Sequence, residues 1–266
     1  RIEDIDTPRV IPGSEQEILG ALRRYGLEWD GELIRQSERG VIYESALATL
    51  RAQGQVFDCA CSRAELLRAA SAPAAGDPQD AESPLYPGTC RNGLPPGRTA
   101  RAVRFRVPPG NVRFDDLVHG SLDEDVEART GDFVVKRADG LFAYQLAVVV
   151  DDAEQGVTQV VRGGDLLSST TRQIALQRAL GVATPSYAHL PLVITPDGTK
   201  LGKRDGALPL PSLDSRHVSE TLATALEILG VAGVEAGEPR TMLDEALSCF
   251  EPALVPRGTV AIGMER

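Results

Sequence analysis

The hydrophobic and polar positions of this chain follow two periods in turn, one typical of helices and one typical of strands. Apolar residues that recur every three or four positions predict helices over 14–25, 41–53, 62–70, 168–180, 218–229 and 242–250. Short apolar or alternating runs predict strands over 56–57, 101–107, 133–136, 157–161 and 190–195. Strands that alternate with helices at both ends of the chain predict an α/β fold built on a parallel sheet.

Local signals refine this pattern. Two Ser-x-x-Glu sequences, which begin at Ser14 and Ser62, predict capping boxes at the starts of helices. Residues 71–84 show no periodicity and are rich in Ala, Pro and Asp, which predicts a flexible loop. The irregular middle of the chain therefore favours an insertion into the α/β fold.

Length and composition limit the class of protein. The chain has 266 residues, of which 42% are hydrophobic, which is enough for a substantial core in one or two domains. No apolar run reaches the roughly 18 residues that a membrane-spanning helix needs, so we expect no membrane partner. With no visible signal peptide and only four cysteines, the chain is expected to be a reduced, cytoplasmic protein. Because it begins without Met, we also expect an upstream segment.

The charge pattern is uneven. A net charge of −10 argues weakly against broad, non-specific binding to nucleic acids. Five arginines in one segment could still form a local basic face, or could simply lie on a solvated strand: Arg98, Arg101, Arg104, Arg106 and Arg113.

Lysine is rare, since only three of the 28 basic residues are lysines. Two of these three, Lys200 and Lys203, lie together after the turn at 195–198. Lysine is a compact charge on a flexible stem, so this segment could be a mobile loop that neutralises phosphates. A solvated basic turn is the alternative.

Three cysteines flank the predicted loop, namely Cys59, Cys61 and Cys90. Zinc prefers four tetrahedral ligands, usually thiolates or imidazoles. Spacing alone leaves the fourth ligand open between Tyr86, His119 and a carboxylate, and three ordinary buried thiols remain the alternative. Cys249 lies on a predicted helix and is expected in the core.

A Gly-rich turn, Arg162-Gly163-Gly164-Asp165, follows the predicted strand 157–161. Ligands of α/β sheets bind at the carboxyl ends of strands, so Arg162 could hold a carboxylate in a bidentate manner, or the segment could be a plain turn. By itself, Tyr144 reads as a core aromatic residue and Glu3 as a surface acid. No role is assigned to any of the three histidines, His119, His189 and His217.

Four motifs in order give the chain a family resemblance: 1–9 (RIEDIDTPR), 144–152 (YQLAVVVDD), 162–167 (RGGDLL) and 200–203 (KLGK). Together they resemble the catalytic core of class I glutamyl-tRNA synthetases over about residues 1–210. The chain is most similar to the short glutamyl-Q tRNA(Asp) synthetases. It ends soon after the lysines, without room for a large anticodon-binding region. The spacing of Cys59, Cys61, Tyr86 and Cys90 also looks like the zinc site of those enzymes, which selects Tyr86 as fourth ligand.

The resemblance implies a fold and a domain order. The fold would be a class I synthetase-type Rossmann core that lacks its N-terminal part, with a zinc-bearing insertion and a helical C-terminal tail. The expected boundaries are 1–55 and 131–210 for the catalytic domain, 56–130 for the insertion and 211–266 for the tail.

The resemblance also implies an activity. The enzyme would activate L-glutamate with ATP and Mg²⁺, without tRNA, and transfer it to queuosine in the anticodon loop of tRNA(Asp). Glu3, Tyr144 and Arg162 would bind glutamate, and Lys203, assisted by Lys200, would bind ATP and stabilise the departing pyrophosphate. One structural Zn²⁺ would be held by Cys59, Cys61, Tyr86 and Cys90. The enzyme would be a monomer.

Two departures from the family pattern matter. The His-containing ATP loop is absent and is expected in the upstream segment, so this chain alone is expected to be inactive. Gly202 replaces the usual Ser, which would loosen the lysine loop. Two alternatives stay open. One is a fragment of a standard glutamyl-tRNA synthetase that charges tRNA(Glu), and the other is a non-catalytic RNA-binding derivative.

Overall fold

The computed structural model describes residues 1–70, 85–196, 198 and 215–262. In these residues the α-helices are α1 (Ser14–Arg24), α2 (Gly40–Ala52), α3 (Arg63–Ala70), α4 (Val126–Arg129), α5 (Tyr144–Glu154), α6 (Leu167–Leu180), α7 (Ser215–Ile228) and α8 (Pro239–Cys249). The strands are β1 (Val56–Cys59), β2 (Ala102–Phe105), β3 (Asn111–Asp116), β4 (Gly120–Asp125), β5 (Phe133–Lys136), β6 (Gln159–Gly163), β7 (Ser186–Leu190), β8 (Leu192–Ile194) and β9 (Thr259–Ala261).

The strands form mixed and antiparallel sheets, which corrects the expected parallel sheet. One sheet has the order β1-β2-β5 and is antiparallel throughout. A second has the order β4-β3-β7-β6, in which β6 and β7 pair in parallel and β3 and β4 form an antiparallel hairpin. Strands β8 and β9 pair in parallel. The hairpin escaped prediction because β4, with the sequence GSLDED, has almost no apolar face.

The main core lies between the first two sheets and helices α2, α5 and α6. Its largest fully buried side chains include Tyr43, Phe105, Leu146, Ile174 and Leu176. The apolar run that begins at Leu146 belongs to α5, and its burial packs that helix against α2, α6 and β5. This packing is the main source of stability, because each large side chain removed from water contributes about 1.5–3 kcal/mol.

The C-terminal helices form a separate cluster. Val218, Leu222 and Leu226 of α7 pack against Met242 of α8 and against Tyr25, just after α1. The expected helical tail is therefore confirmed for α7 and α8, but not for its end, where β9 adds a strand beside β8. The sheets also join segments from both sides of position 130, and the proposed domain boundaries stay a prediction.

Several local expectations need correction. No side-chain bond caps α1, which begins at Ser14 with Gly13 in a left-handed conformation at φ 87° as its N-cap. The Ser62 capping box does form, with Ser62 N–H to Glu65 Oε2 at 2.7 Å and Glu65 N–H to Ser62 Oγ at 3.3 Å.

The strand expected over 190–195 is two strands, because Pro191 has no N–H for a sheet and separates β7 from β8. Strand β6 runs two residues later than expected. Cys249 is exposed at the end of α8 and is not a core residue. Among the helices in the described part of the chain, none is both long enough and apolar enough to cross a membrane.

Candidate active site

The three residues proposed to bind an amino acid lie on one cavity, at the edge of the four-stranded sheet. The cavity has a volume of about 390 Å³. Glu3 comes from the first segment of the chain, Tyr144 from the first turn of α5 and Arg162 from the end of β6. The cavity is also lined by Arg1, Val148, Asp152, Gln155, Val160 and Leu166. The fold thus brings together side chains that are up to 159 positions apart in sequence, from 3 to 162.

Arg162 is held by four hydrogen bonds from its guanidinium group. Nε donates to His189 Nε2 at 3.0 Å, and Nη1 donates to Gln173 Oε1 at 2.8 Å. Nη2 donates to Thr170 Oγ1 at 2.8 Å and to the Leu166 carbonyl at 3.3 Å. Since a guanidinium has five N–H groups, these bonds leave one N–H for a ligand, and the Tyr144 hydroxyl, which also interacts with Arg162, lies beside it. The bidentate grip expected from the sequence would require one of these partners to move.

Behind Arg162 lies a buried acid–imidazole pair. His189 Nδ1 is 2.6 Å from Asp116 Oδ2, and both side chains are fully buried. Asp116 Oδ1 also accepts backbone hydrogen bonds from Val118 and His119. Burial opposes ionisation of Asp116, but the bonds from His189 and these amides hold its pKa below the ordinary value. Sequence reasoning missed this pair because a single His among Leu and Pro carries no motif.

Burial and the charges around the cavity shift the pKa of Tyr144. Burial, followed by the charge of Glu3, raises the pKa of the Tyr144 phenol. Arg162 and a hydrogen bond with Gln173 oppose this rise without cancelling it. Tyr144 is therefore a neutral hydroxyl between an acid and a base, able to donate or accept a hydrogen bond. It is not only the core aromatic residue that the sequence by itself suggested.

Arg1 is a cavity residue that the sequence reasoning did not select. Its Nη1 donates to Asp152 Oδ1 at 2.6 Å and its Nη2 lies 3.1 Å from Glu3 Oε1. The carboxylates of Glu3 and Asp152 and the guanidinium groups of Arg1 and Arg162 thus share one wall. A wall with both signs of charge suits a zwitterionic ligand such as an amino acid.

The turn after β6 requires glycine at position 164 because there is little space for a side chain. A Cβ on Gly164 would lie 3.1 Å from the carbonyl oxygen of Leu190, which is tighter than ordinary contact. The absence of a side chain lets the turn 164–166 approach β7, and this approach brings the Leu166 carbonyl to Arg162. Lys200 and Lys203, the proposed ATP-site residues, lie outside the described residues.

Three cysteine thiols converge in a second site beside β1. The Sγ atoms of Cys59, Cys61 and Cys90 all lie within 4.8 Å of one another, and those of Cys61 and Cys90 are 3.8 Å apart. Zinc–sulfur bonds of about 2.3 Å at tetrahedral angles place sulfur atoms about 3.8 Å apart, so the thiols fit a zinc ion. Tyr86 Oη lies 3.6 Å from Cys59 Sγ and accepts a 2.7 Å hydrogen bond from the Cys90 N–H. The donor set suits zinc with Tyr86 as fourth ligand, whereas the described geometry brings no contact from His119.

The electrostatics of this site favour a cation. Burial, then the neighbouring Cys59, raises the pKa of Cys61 to about 11, and burial also raises the pKa of Tyr86 well above its ordinary value. For Cys59, burial acts in the same direction, but hydrogen bonds from the Cys61 backbone, Tyr86 and Arg104 outweigh it and lower the pKa. A bound cation would stabilise the anionic form of all four groups.

Arg104 is a buried cation at the same site. Its guanidinium lies 4.1 Å from the centre of the Tyr86 ring, and its Nη1 donates to the Asp132 carbonyl at 2.7 Å. Its buried Nε–H makes no hydrogen bond to any residue that the structure describes. A positive charge here is suited to balance several anionic ligands around one divalent ion.

The hypothesis of a common basic face on this segment is wrong. Arg104 is buried, and Arg106 donates to the Arg91 carbonyl at 2.7 Å. Arg98 pairs with Glu65 at 2.9 Å, and Arg113 pairs with Asp123 at 2.7 Å. Four of the five arginines therefore serve separate local contacts, and the side chain of the fifth, Arg101, is exposed.

Known proteins match both the sequence and the fold of this chain. Residues 1–243 match the family described as tRNA synthetases class I (E and Q), catalytic domain. The Glutamyl-Q tRNA(Asp) synthetase of Geobacter sulfurreducens is 53% identical over 261 residues, which cover 96% of this chain and 82% of that protein. The protein of the same name from Thiobacillus denitrificans is 52% identical over 231 residues, which cover 86% of this chain and 73% of that protein.

Solved structures agree on the fold. The crystal structure of a glutamate-tRNA synthetase from Elizabethkingia anophelis has a TM-score of 0.77 at 25% identity, and the match covers 100% of this chain and 61% of that chain. A glutamate tRNA ligase from Elizabethkingia meningosepticum, in complex with its amino acid, has a TM-score of 0.76 at 25% identity, with 98% and 59% covered. The fold is a class I tRNA synthetase-like α/β fold with mixed sheets. The chain therefore belongs to the class I tRNA synthetases for glutamate and glutamine, and it is a ligase-type enzyme of the glutamyl-Q tRNA(Asp) synthetase kind.

Proposed function

We propose that this enzyme activates L-glutamate with ATP and Mg²⁺, without needing tRNA, and transfers the glutamyl group to queuosine in the anticodon loop of tRNA(Asp). The observation that carries the proposal is the cavity on which Glu3, Tyr144 and Arg162 meet. The names of the curated relatives support the choice of amino acid and of tRNA.

The cavity residues divide the work of holding glutamate. Glu3 pairs with the substrate ammonium, in competition with its contact to Arg1. Arg162 offers its remaining N–H and its positive charge to a substrate carboxylate, and Tyr144 adds a neutral hydroxyl between the two charged groups. This binding orients the reacting α-carboxylate and removes the entropy cost of a chance encounter.

The chemical step is an in-line displacement. A carboxylate oxygen of glutamate forms a bond to the α-phosphorus of ATP, and the bond from that phosphorus to the bridging oxygen breaks, so that pyrophosphate leaves with the electron pair. Lys203, with Lys200, stabilises the charge that develops on the leaving group. Mg²⁺ would be held by the phosphate oxygens of ATP, which are ligands that it prefers, and would neutralise part of their charge.

One Zn²⁺ is proposed to be structural and held by Cys59, Cys61, Tyr86 and Cys90. Four protein ligands leave no open position for a substrate, as is typical of structural zinc sites. Held by these residues, the ion would link β1 to the loop at 86–90, whose side chains already share one buried cluster with Cys59.

The test is glutamate-dependent exchange of pyrophosphate into ATP, measured on the protein encoded by the complete reading frame. Exchange without tRNA, followed by transfer of labelled glutamate to tRNA(Asp) that contains queuosine, is the expected result. Exchange that requires tRNA(Glu) would instead assign a standard glutamyl-tRNA synthetase, and no exchange under either condition would favour an RNA-binding derivative. Lys203→Ala should lower kcat strongly with little change in the KM for glutamate.

A further inference from the structure

Two buried residues stand behind the cavity without lining it. His189 lies on β7 directly opposite Arg162 on β6, as a register pair of the parallel strands. Asp116 ends β3 on the other side of β7, where it pairs with Tyr187. Three neighbouring strands of one sheet therefore present Asp116, His189 and Arg162 in a row that points towards the cavity.

The hydrogen bonds fix where the imidazole proton lies. The Arg162 Nε–H can only donate, so His189 Nε2 must carry its lone pair to accept this 3.0 Å bond. His189 Nδ1 then carries the proton and donates a 2.6 Å hydrogen bond to Asp116 Oδ2. Asp116 stays anionic because the Val118 and His119 amides donate to its other oxygen at 3.0 and 2.9 Å. The result is a buried chain from carboxylate through neutral imidazole to guanidinium.

We propose that His189 and Asp116 are positioning residues for Arg162, and that they set the affinity of the enzyme for the substrate carboxylate. This inference rests on the proposed function of Arg162 as a glutamate-binding residue. Gln173 and Thr170 hold the Nη edge of the guanidinium, while His189 holds its Nε edge. With both edges held, the remaining N–H has one direction, and the ligand does not have to order the side chain when it binds.

The surroundings of His189 keep it neutral. The charged and titratable groups that face it are Asp116 from β3, Arg162 from β6, Tyr187 from its own strand and His119 after β3. Burial lowers the pKa of His189, and the positive charge of Arg162 acts in the same direction against the opposing pull of Asp116. Protonation of Nε2 would remove the acceptor and place a second cation 3.0 Å from Arg162.

Two variants distinguish the hydrogen bond of His189 to Asp116 from its hydrogen bond with Arg162. In His189→Asn the amide reaches the position of Nδ1 and can still donate to Asp116, but nothing reaches Arg162. In His189→Gln the amide oxygen reaches the position of Nε2 and can still accept from Arg162. His217→Gln, on the exposed face of α7, is the matched control.

The measurement is pyrophosphate exchange by the complete protein, with KM and kcat determined for glutamate and for ATP. We expect His189→Asn to raise the KM for glutamate about 10-fold, as for loss of one hydrogen bond to a charged group, with kcat and the KM for ATP changed less than twofold. His189→Gln should stay within about threefold of the wild type. An unchanged KM in the Asn variant, or equal losses in both variants for both substrates, would overturn the inference.

A second measurement does not depend on a variant. Long-range ¹H–¹⁵N correlation spectra of the wild-type protein report which imidazole nitrogen of His189 carries the proton. We expect Nδ1 to be protonated and Nε2 to be unprotonated at pH 7.5, and the opposite tautomer would overturn the inference. The parent proposal is tested separately by Arg162→Gln. If that variant leaves the KM for glutamate unchanged, the assignment of the cavity fails. If it raises KM while His189→Asn does not, only the positioning role fails.

Discussion

Arg39 donates from Nε to Oδ1 of Asp151 at 2.7 Å, across 112 positions of sequence, and the Asp151 side chain is completely buried. The other carboxylate oxygen accepts from Gln36 Nε2 at 2.8 Å and from the Tyr43 hydroxyl at 2.9 Å. Asp151 lies on α5, and its three partners lie in or just before α2. This network fastens the helix that begins with Tyr144 to its neighbour, so it acts on the site through the position of a helix.

Removal of this carboxylate should destabilise the protein strongly. Asp151→Ala leaves the buried donors Gln36 and Tyr43 without their acceptor and removes the buried partner of Arg39, which keeps only its contact with Glu154. Broken buried ion pairs typically cost about 3–5 kcal/mol. Urea unfolding at pH 7 measures the loss. Arg51→Gln, which breaks an exposed pair with Asp58, is the control and should change little. A loss for Asp151→Ala no larger than that of the control would contradict the structural role.

The positive charge of Arg104 should help the cysteine site to retain its metal ion. Arg104→Met keeps most of the buried stem but removes the charge beside Tyr86 and Cys59. Substitution of a residue that contacts metal ligands typically lowers the affinity for the metal about 10- to 100-fold. We therefore expect this variant to lose zinc at about 10-fold lower chelator concentration than the wild type. Zinc content, measured by atomic emission during titration with a coloured chelator, reports the change.

The control for this prediction is Arg101→Met in the same segment. Its side chain is exposed, and its backbone N–H donates a 2.9 Å hydrogen bond to the Cys59 carbonyl, so the substitution leaves this contact in place. This variant should retain zinc as the wild type does. Equal retention by the two variants would show that Arg104 packs against Tyr86 without stabilising the charge of the metal site.

Much of the candidate site could be predicted from the sequence because its residues lie in motifs. Glu3, Tyr144 and Arg162 were selected by their resemblance to a family, and the fold brings them to one cavity. Asp116 and His189 have no such local signature, since their roles arise only when β3, β6 and β7 are neighbours in the sheet. Long-range pairing of this kind is not encoded in any short segment.

The fold was predictable where burial imposes a period. Val103, Phe105 and Val107 alternate in sequence and are all buried in the core, and α6 ends at Gly181 with φ 69°, as its glycine stop predicts. The β3–β4 hairpin was missed because one of its strands is half-exposed and polar. On an exposed edge strand, apolar and polar residues can exchange places without a large change in stability. The alternation of apolar and polar positions is therefore weak there.

The Tyr144 hydroxyl should contribute to glutamate binding. Tyr144→Phe removes a partly buried hydroxyl that interacts with Arg162 and Gln173, while the ring and its packing remain. We expect the KM for glutamate to rise about 10-fold in pyrophosphate exchange, because the lost hydrogen bond involves a charged partner. The KM for ATP should stay within twofold.

Tyr25→Phe is the matched control. The Tyr25 hydroxyl is buried in the C-terminal cluster and makes no hydrogen bond within the described part of the chain. Its removal should leave both KM values unchanged and should not lower stability. If Tyr144→Phe also leaves the KM for glutamate unchanged, the hydroxyl plays no part in binding, and the cavity assignment would rest on Glu3 and Arg162 alone.

The buried His189 should make stability depend on pH. Burial, as the largest cause, lowers its pKa in the folded protein below the ordinary value of 6.5. Between that lowered pKa and 6.5 the unfolded chain binds a proton that the folded protein does not, so stability must fall as the pH falls below 6.5. The pKa of Asp116 is also lowered, but from 3.8, so its contribution is present above pH 3.8 and lost only below it.

The free energy of unfolding in urea at pH 7.5 and at pH 5.5 tests this. The wild type should lose more stability over this interval than His189→Gln, which has no proton to gain at that position, while His217→Gln on the exposed face of α7 should behave as the wild type does. A variant that stays as sensitive to pH as the wild type would show that His189 does not titrate differently in the two states. Because the folded protein keeps His189 neutral, and so able to accept the hydrogen bond from Arg162, until the pH reaches the lowered pKa, the KM for glutamate of the wild type should stay constant while stability falls and should rise only below that pKa.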